Sequence, residues 1–283
     1  MLKMLLLSLL CVFAFSKPIV SVSIPPQAFF VEKIAKDSVE INILIEPNSN
    51  EHNVEFKPAA IKNLEKSKIY FLADLELEKI LESKFKNTLK NVKIVNINNG
   101  ISLLENEEHD EHENNIHEHE HGINDPHTWL DPVLVKIQAQ NIYKALSQNF
   151  PQNKDFYAKN LENFLKELDD LNLTIKTNLQ NIKNREFIVY HPSWGYFAKR
   201  YNLIQIPVEI DGKEPKIQDL QKLIKIAKEK NIKVIFVQSG FSENSAKVLS
   251  KELNAKIVFI NHLAKDWDKE LLKSTQALKM ALE

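Results

Sequence analysis

Apolar positions along the chain fall into short runs rich in Ile and Val, separated by longer stretches of helical spacing. In the first half, Ile19–Ile24, Val39–Ile45, Lys68–Leu72 and Val92–Ile97 predict strands, with helices over Gln27–Ala35 and Pro58–Lys66. The second of these helices opens on a proline, whose missing N–H costs nothing in a first turn. The second half repeats the pattern. Phe187–Tyr190, Leu203–Val208, Lys233–Val237 and Lys256–Ile260 predict strands, and Ile217–Glu229, Glu243–Leu253 and Trp267–Leu282 predict helices. Strands alternating with helices predict an α/β fold of two lobes, each built on a mainly parallel four-stranded sheet.

A single amphipathic segment joins the halves. From Asp155 to about Ile182, Leu161, Phe164, Leu165, Leu168, Leu171, Ile175, Leu179 and Ile182 recur at spacings of three and four with no Gly or Pro between them. That is one helix of about 28 residues, roughly 40 Å long at 1.5 Å per residue. About four heptads flanked by α/β segments fit a rigid linker between lobes better than a coiled-coil dimer. The expected organisation is a leader over 1–16, an N-terminal lobe over 17–150, a linking helix over 151–184 and a C-terminal lobe over 185–283, in a monomer.

The leader changes where the protein works. Lys3 precedes an apolar run from Met4 to Phe15, and Ala14 and Ser16 are the small residues of a cut before Lys17. This is the anatomy of a cleavable secretory signal, too short for a membrane span, and it implies the periplasm. A lipid anchor at Cys11 fits less well, because Leu10 stands where a small residue is wanted. Cys11 is the only cysteine and leaves with the leader, so any metal must be held by nitrogen or oxygen. A net charge of -1, with no sustained basic face, excludes a nucleic-acid partner.

Nine histidines carry the candidate chemistry. Five of them, His109, His112, His117, His119 and His121, lie in Glu105–His121 together with eight acidic residues and almost nothing apolar. Such a segment (105–123 with its flanks) cannot bury enough surface to offset its ordering entropy, and is expected to be a mobile loop. His117-x-His119-x-His121 suits weak metal collection there. Three others stand at junctions between regular elements: His52 and His191 beyond the carboxyl ends of strands, where α/β folds bind ligands, and His127 just before a helix that begins near Pro132. Separations of 75 and 64 residues exclude a local chelate, so the fold must bring them together. His262 is left over.

Three motifs carry a family resemblance: His52-x-x-Glu55-x-x-Pro58, Asp125-Pro126-His127-Thr128-Trp129-Leu130-Asp131-Pro132, and His191-Pro192-Ser193-Trp194-Gly195-Tyr196-Phe197. In these the chain resembles the solute-binding proteins that serve zinc and manganese ABC transporters, and most of all their zinc, ZnuA-like branch. The resemblance implies two α/β lobes joined by one long helix, with a metal in the cleft between them, and no enzymatic activity. It implies His52, His127 and His191 as ligands of Zn²⁺, which is delivered to a membrane permease. Manganese members usually have a carboxylate where this chain has His191. Three imidazoles favour zinc over a cation that prefers oxygen. Where relatives often supply an aspartate after the last core strand, this chain has Asn261, and an amide oxygen is a poor zinc ligand. The fourth position then falls to Glu51, to water or, less readily, to His262, which is expected at the surface or behind the ligands. Gln238 replaces a glutamate common in relatives. The alternatives are a manganese or other divalent-metal binder of the same class, an adhesin, and a zinc-dependent hydrolase, for which no proton-transfer motif is evident.

Overall fold

The computed structural model describes residues 16–51, 56–85, 87, 89–105, 124–210, 213–241 and 243–283. The expected leader up to residue 15, His52 with its three followers, and all five histidines of the acidic segment lie outside the described residues.

β1 (Ile19–Val22) leads into α1 (Pro25–Ala35), which starts on two prolines. The Gln27 side-chain oxygen accepts from the N–H groups of Ser23 and Ile24 and satisfies the turn before that helix. β2 (Glu40–Ile43), α2 (Pro58–Lys66), β3 (Ile69–Leu72), α3 (Glu76–Phe85) and β4 (Lys93–Asn96) complete the first sheet and its helices. α4 (Pro132–Asn149) and α5 (Lys154–Leu179) follow. The second lobe contains β5 (Glu186–Val189), α6 (Gly195–Tyr201), β6 (Ile204–Pro207), α7 (Ile217–Glu229), β7 (Val234–Gln238), α8 (Asn244–Leu253), β8 (Lys256–Ile260) and α9 (Trp267–Leu282).

Both sheets are four-stranded and wholly parallel, in the orders β2-β1-β3-β4 and β6-β5-β7-β8. The two lobes therefore repeat one topology, and in each the strand order reverses beside the first strand. That reversal opens a crevice beyond the carboxyl ends, where α/β proteins place their ligands.

Successive buried residues of the second sheet point alternately into two clusters, with the period of two that a pleated strand requires. Phe187, Val189 and Phe236 join a core that runs through the first lobe, α4, α5 and α9. Ile188, Tyr190, Ile235 and Val237 face the other way, into a smaller cluster with Leu223 of α7 and Leu249 of α8. α5 is the long linking helix, and it buries Phe164, Leu168, Leu171, Ile175 and Leu179. It stops at Leu179. Ile182 is buried beyond its end, in a turn where the N–H groups of Lys183 and Asn184 donate to the carbonyl of Leu282. α9 crosses back to the first lobe, and the Trp267 ring meets Phe29 and Phe30 of α1 at centroid distances of 5.8 and 5.1 Å. α3 and α6 were not expected from the sequence. α6 has only seven residues, and the burial of Tyr196, Phe197, Ala198 and Tyr201 holds it, which no local periodicity announces.

Several polar contacts tie the lobes at the cleft. Arg200 of α6 donates from Nε (2.9 Å) and pairs through its terminal nitrogen (2.8 Å) with the Asp131 carboxylate, which caps α4. The Trp129 indole donates to the carbonyl of His262, and the Trp267 indole to that of Trp129, each at 2.8 Å.

Candidate metal centre

His127 sits in the turn before α4, held by Asp125. One Asp125 oxygen, Oδ1, accepts the backbone N–H of His127 at 2.9 Å and lies 2.7 Å from its Nδ1. The Tyr196 hydroxyl donates to the Asp125 carbonyl and accepts the N–H of Leu104, so three segments fix this turn. With Nδ1 engaged by a carboxylate, Nε2 of His127 is left to face the cleft.

His191 stands two residues after β5 and is held in the same way. Its Nδ1 lies 2.6 Å from Glu209 Oε2, and its ring stacks on Phe241 at 4.6 Å and 16°. Gln238, at the end of β7, accepts the backbone N–H of His191 and donates from its amide to the His191 carbonyl and the Ser193 hydroxyl. Both a donor and an acceptor are needed there, and a glutamate side chain would supply only acceptors when ionised.

The two Nε2 atoms are 3.4 Å apart. Two nitrogens bound to one tetrahedral zinc at about 2.0–2.1 Å stand about 3.3–3.4 Å from each other. Glu51, from the segment after β2, brings Oε1 to 3.2 Å from His127 Nε2 and 4.0 Å from His191 Nε2. Its other oxygen, Oε2, is buried with no hydrogen-bond partner among the described residues. An unpaired buried carboxylate oxygen is costly, and a cation beside it would remove that cost. His127, His191 and Glu51 are all less than 5% exposed.

His262 is also here, and of the two places expected for it, at the surface or behind the ligands, the surface does not hold. It is 2% exposed, and its Nε2 lies 2.7 Å from Glu51 Oε1. Glu51, His127 and His262 each offer a ligand atom within 4.8 Å of the others. Asn261, by contrast, is turned away. Its side-chain oxygen accepts the N–H of Leu263, and its amide donates to Asn48 Oδ1 across the cleft at 2.8 Å.

These groups set one another's protonation. Burial opposes charge on Glu51, but the charge of His262 and the hydrogen bonds of His127 and His262 outweigh it and hold the carboxyl well below its usual range. Burial likewise works against a charged His127. The adjacent Asp125 overcomes it, with help from Glu51, and lifts the imidazole to about 9.

The structure thus brings together His127, His191 and Glu51, and adds His262. His52 follows Glu51 directly, outside the described residues. The carboxylates behind the imidazoles, Asp125 and Glu209, received no role from the sequence alone. An acid just beyond the Leu203–Val208 strand, at the same sheet end as His191, was the available signal for Glu209.

Comparison with known proteins shows the family and the fold. Residues 20–279 match the family model of ZnuA, zinc-uptake complex component A, periplasmic. The chain belongs to this family. The high-affinity zinc uptake system protein ZnuA of Bacillus subtilis is 34% identical over 243 residues, covering 84% of this chain and 76% of that one. The zinc-binding protein AdcA of Streptococcus pyogenes is 27% identical over 255 residues, or 86% of this chain, which spans only 50% of the AdcA length. A crystal structure of a ZnuA superposes with a TM-score of 0.87 at 39% identity, covering 95% of this chain and all of the other. The ZnuA family fold of two parallel-sheet lobes and one long helix is the fold seen here.

Proposed function

We propose that the protein captures zinc in the periplasm and delivers it to the membrane permease of an ABC transporter. The observation that carries this reading is the pair of Nε2 atoms 3.4 Å apart, each on a ring whose other nitrogen faces a carboxylate. Carboxylate–histidine pairs of this kind fix the tautomer and direct the free nitrogen to a metal. His52, His127 and His191 with Glu51 make a set of three imidazoles and one carboxylate, which suits four-coordinate zinc. A manganese site would call for more oxygen.

Four protein donors leave no position open for an activated water, which a zinc hydrolase needs. The family consists of periplasmic metal-binding transporter components, and transport rather than catalysis follows. Export by the leader over 1–16 puts the site where the permease can reach it. The acidic, histidine-rich segment adds further imidazoles that collect zinc weakly.

Competitive chelator titration of the mature monomeric protein, with His52, His127, His191 and Glu51 replaced in turn by Ala, tests this reading. Each imidazole loss should weaken the tight site by at least about tenfold. Unchanged zinc affinity in both His127→Ala and His191→Ala would exclude it.

A further inference from the structure

The search for further chemistry converges on His262. It lies in the C-terminal lobe just after β8, whereas Glu51 belongs to the N-terminal lobe, and their side chains meet in a buried contact of 2.7 Å. We infer that His262 is a positioning residue, which donates its Nε2–H to Glu51 Oε1 across the cleft and so holds that carboxylate on the zinc. The inference rests on the zinc-capture reading and assigns a task to a side chain outside its ligand set.

Three observations separate this role from direct ligation. First, ligand atoms sharing one tetrahedral zinc stand about 3.3 Å apart, as the Nε2 atoms of His127 and His191 do. The 2.7 Å between His262 and Glu51 is the length of a charge-assisted hydrogen bond. Second, the two imidazoles offered as ligands each have a carboxylate against Nδ1, which keeps the proton there and frees Nε2. His262 Nδ1 is buried with no partner among the described residues. Binding zinc through Nε2 would force the proton of a neutral ring onto Nδ1 and leave a buried N–H unsatisfied. With zinc bound and the ring neutral, donating from Nε2 leaves only an unpaired lone pair, the cheaper arrangement. Third, the backbone on both sides of this ring is itself fixed. The His262 carbonyl accepts from the Trp129 indole, and the backbone N–H of Asn261 donates to Glu270. The donor is thus preorganised toward a carboxylate that has no other side-chain donor but His127 among the described residues.

The arrangement also accounts for Asn261. A side chain after the last strand reaches the site, but it is the next residue, acting through Glu51 rather than on the metal.

The test compares zinc affinity by chelator competition with the zinc-ligand shell by X-ray absorption, in wild type, His262→Ala, His262→Gln, Glu51→Ala and the double variant Glu51→Ala/His262→Ala. The glutamine amide can occupy the place of Nε2 and donate the same bond. His262→Ala should lower affinity by about tenfold or more, within the range for residues that orient ligands, and leave the imidazole count unchanged. His262→Gln should recover most of the loss, and His262→Ala should add little once Glu51 is already Ala. Loss of one imidazole from the shell of His262→Ala would make His262 a ligand and overturn the inference. So would an equal loss with and without Glu51, or a glutamine variant as weak as the alanine one. Failure of the wild type to take up one tight zinc would instead overturn the zinc-capture reading itself.

Discussion

Gly240, after β7 in the C-terminal lobe, lies directly against the backbone of Ser49 in the N-terminal lobe. A Cβ at Gly240 would come within 2.7 Å of the Ser49 carbonyl carbon, and its φ is +91°. Ser49 is two residues before Glu51. The absent side chain therefore lets the segment that carries Glu51 seat on the opposite lobe.

Gly240→Ala should accordingly weaken zinc binding without altering any ligand. The clash is with backbone, which cannot rotate away, and the left-handed φ adds roughly 1 kcal/mol of strain for a side-chain-bearing residue. We expect affinity to fall by about tenfold, a loss of about 1.4 kcal/mol, with a native circular dichroism spectrum. Wild-type affinity in chelator competition would mean that Glu51 does not depend on this contact.

Zinc affinity should rise with pH across the range in which His127 loses its proton. The imidazole is raised from 6.5 to about 9 because Asp125 and Glu51 outweigh the cost of burial. In the metal-free protein the protonated ring therefore contributes stability that is fully present below about 6.5 and is lost as pH rises through about 9. Zinc has the opposite sign, since it must displace that proton. Its apparent affinity should climb by up to about tenfold per pH unit through the same window. Isothermal titration at pH 6.5, 7.5 and 8.5 checks the slope, and the melting temperature of the metal-free protein should fall over that range.

Gln238→Leu should destabilise the second lobe and weaken the site together. It removes the acceptor of the buried His191 N–H and one of the two donors to the His191 carbonyl, which keeps the Ser193 N–H, at a cost of about 1–3 kcal/mol. Thermal unfolding and zinc titration of the same sample should both shift. A changed melting temperature with unchanged affinity would show that His191 is oriented by Glu209 and Phe241 alone.

Removal of residues 106–122 should leave one tight zinc site and abolish weaker ones. The described ends of that segment meet in an antiparallel bridge between Glu105 and Asn124, so a short linker can close the gap. Zinc stoichiometry by titration and metal analysis reads the outcome, and loss of the tight site would place ligands within the segment.

Periodicity alone determined much of this molecule. The strands at Ile19, Val39, Lys68 and Val92 and their counterparts in the second half were legible because buried parallel strands are continuous apolar runs, bounded by turns. The linking helix was legible because Phe164, Leu168, Leu171, Ile175 and Leu179 keep one face toward the core over many turns. His127 and His191 stood out because each follows or precedes a regular element within a recognisable motif, and Glu51 because it is an acid beside a histidine.

What only the tertiary structure decided concerns partners far apart in the chain. Asp125 behind His127 is two residues away, but Glu209 behind His191, Gly240 under Ser49 and His262 against Glu51 are separated by 18, 191 and 211 residues. No local pattern encodes such pairings, because whether a histidine holds a metal, holds a ligand or lies at the surface depends on which atom faces its second nitrogen. That is settled only when two sheets and a helix have packed, and packing acts on shape and burial rather than on sequence spacing.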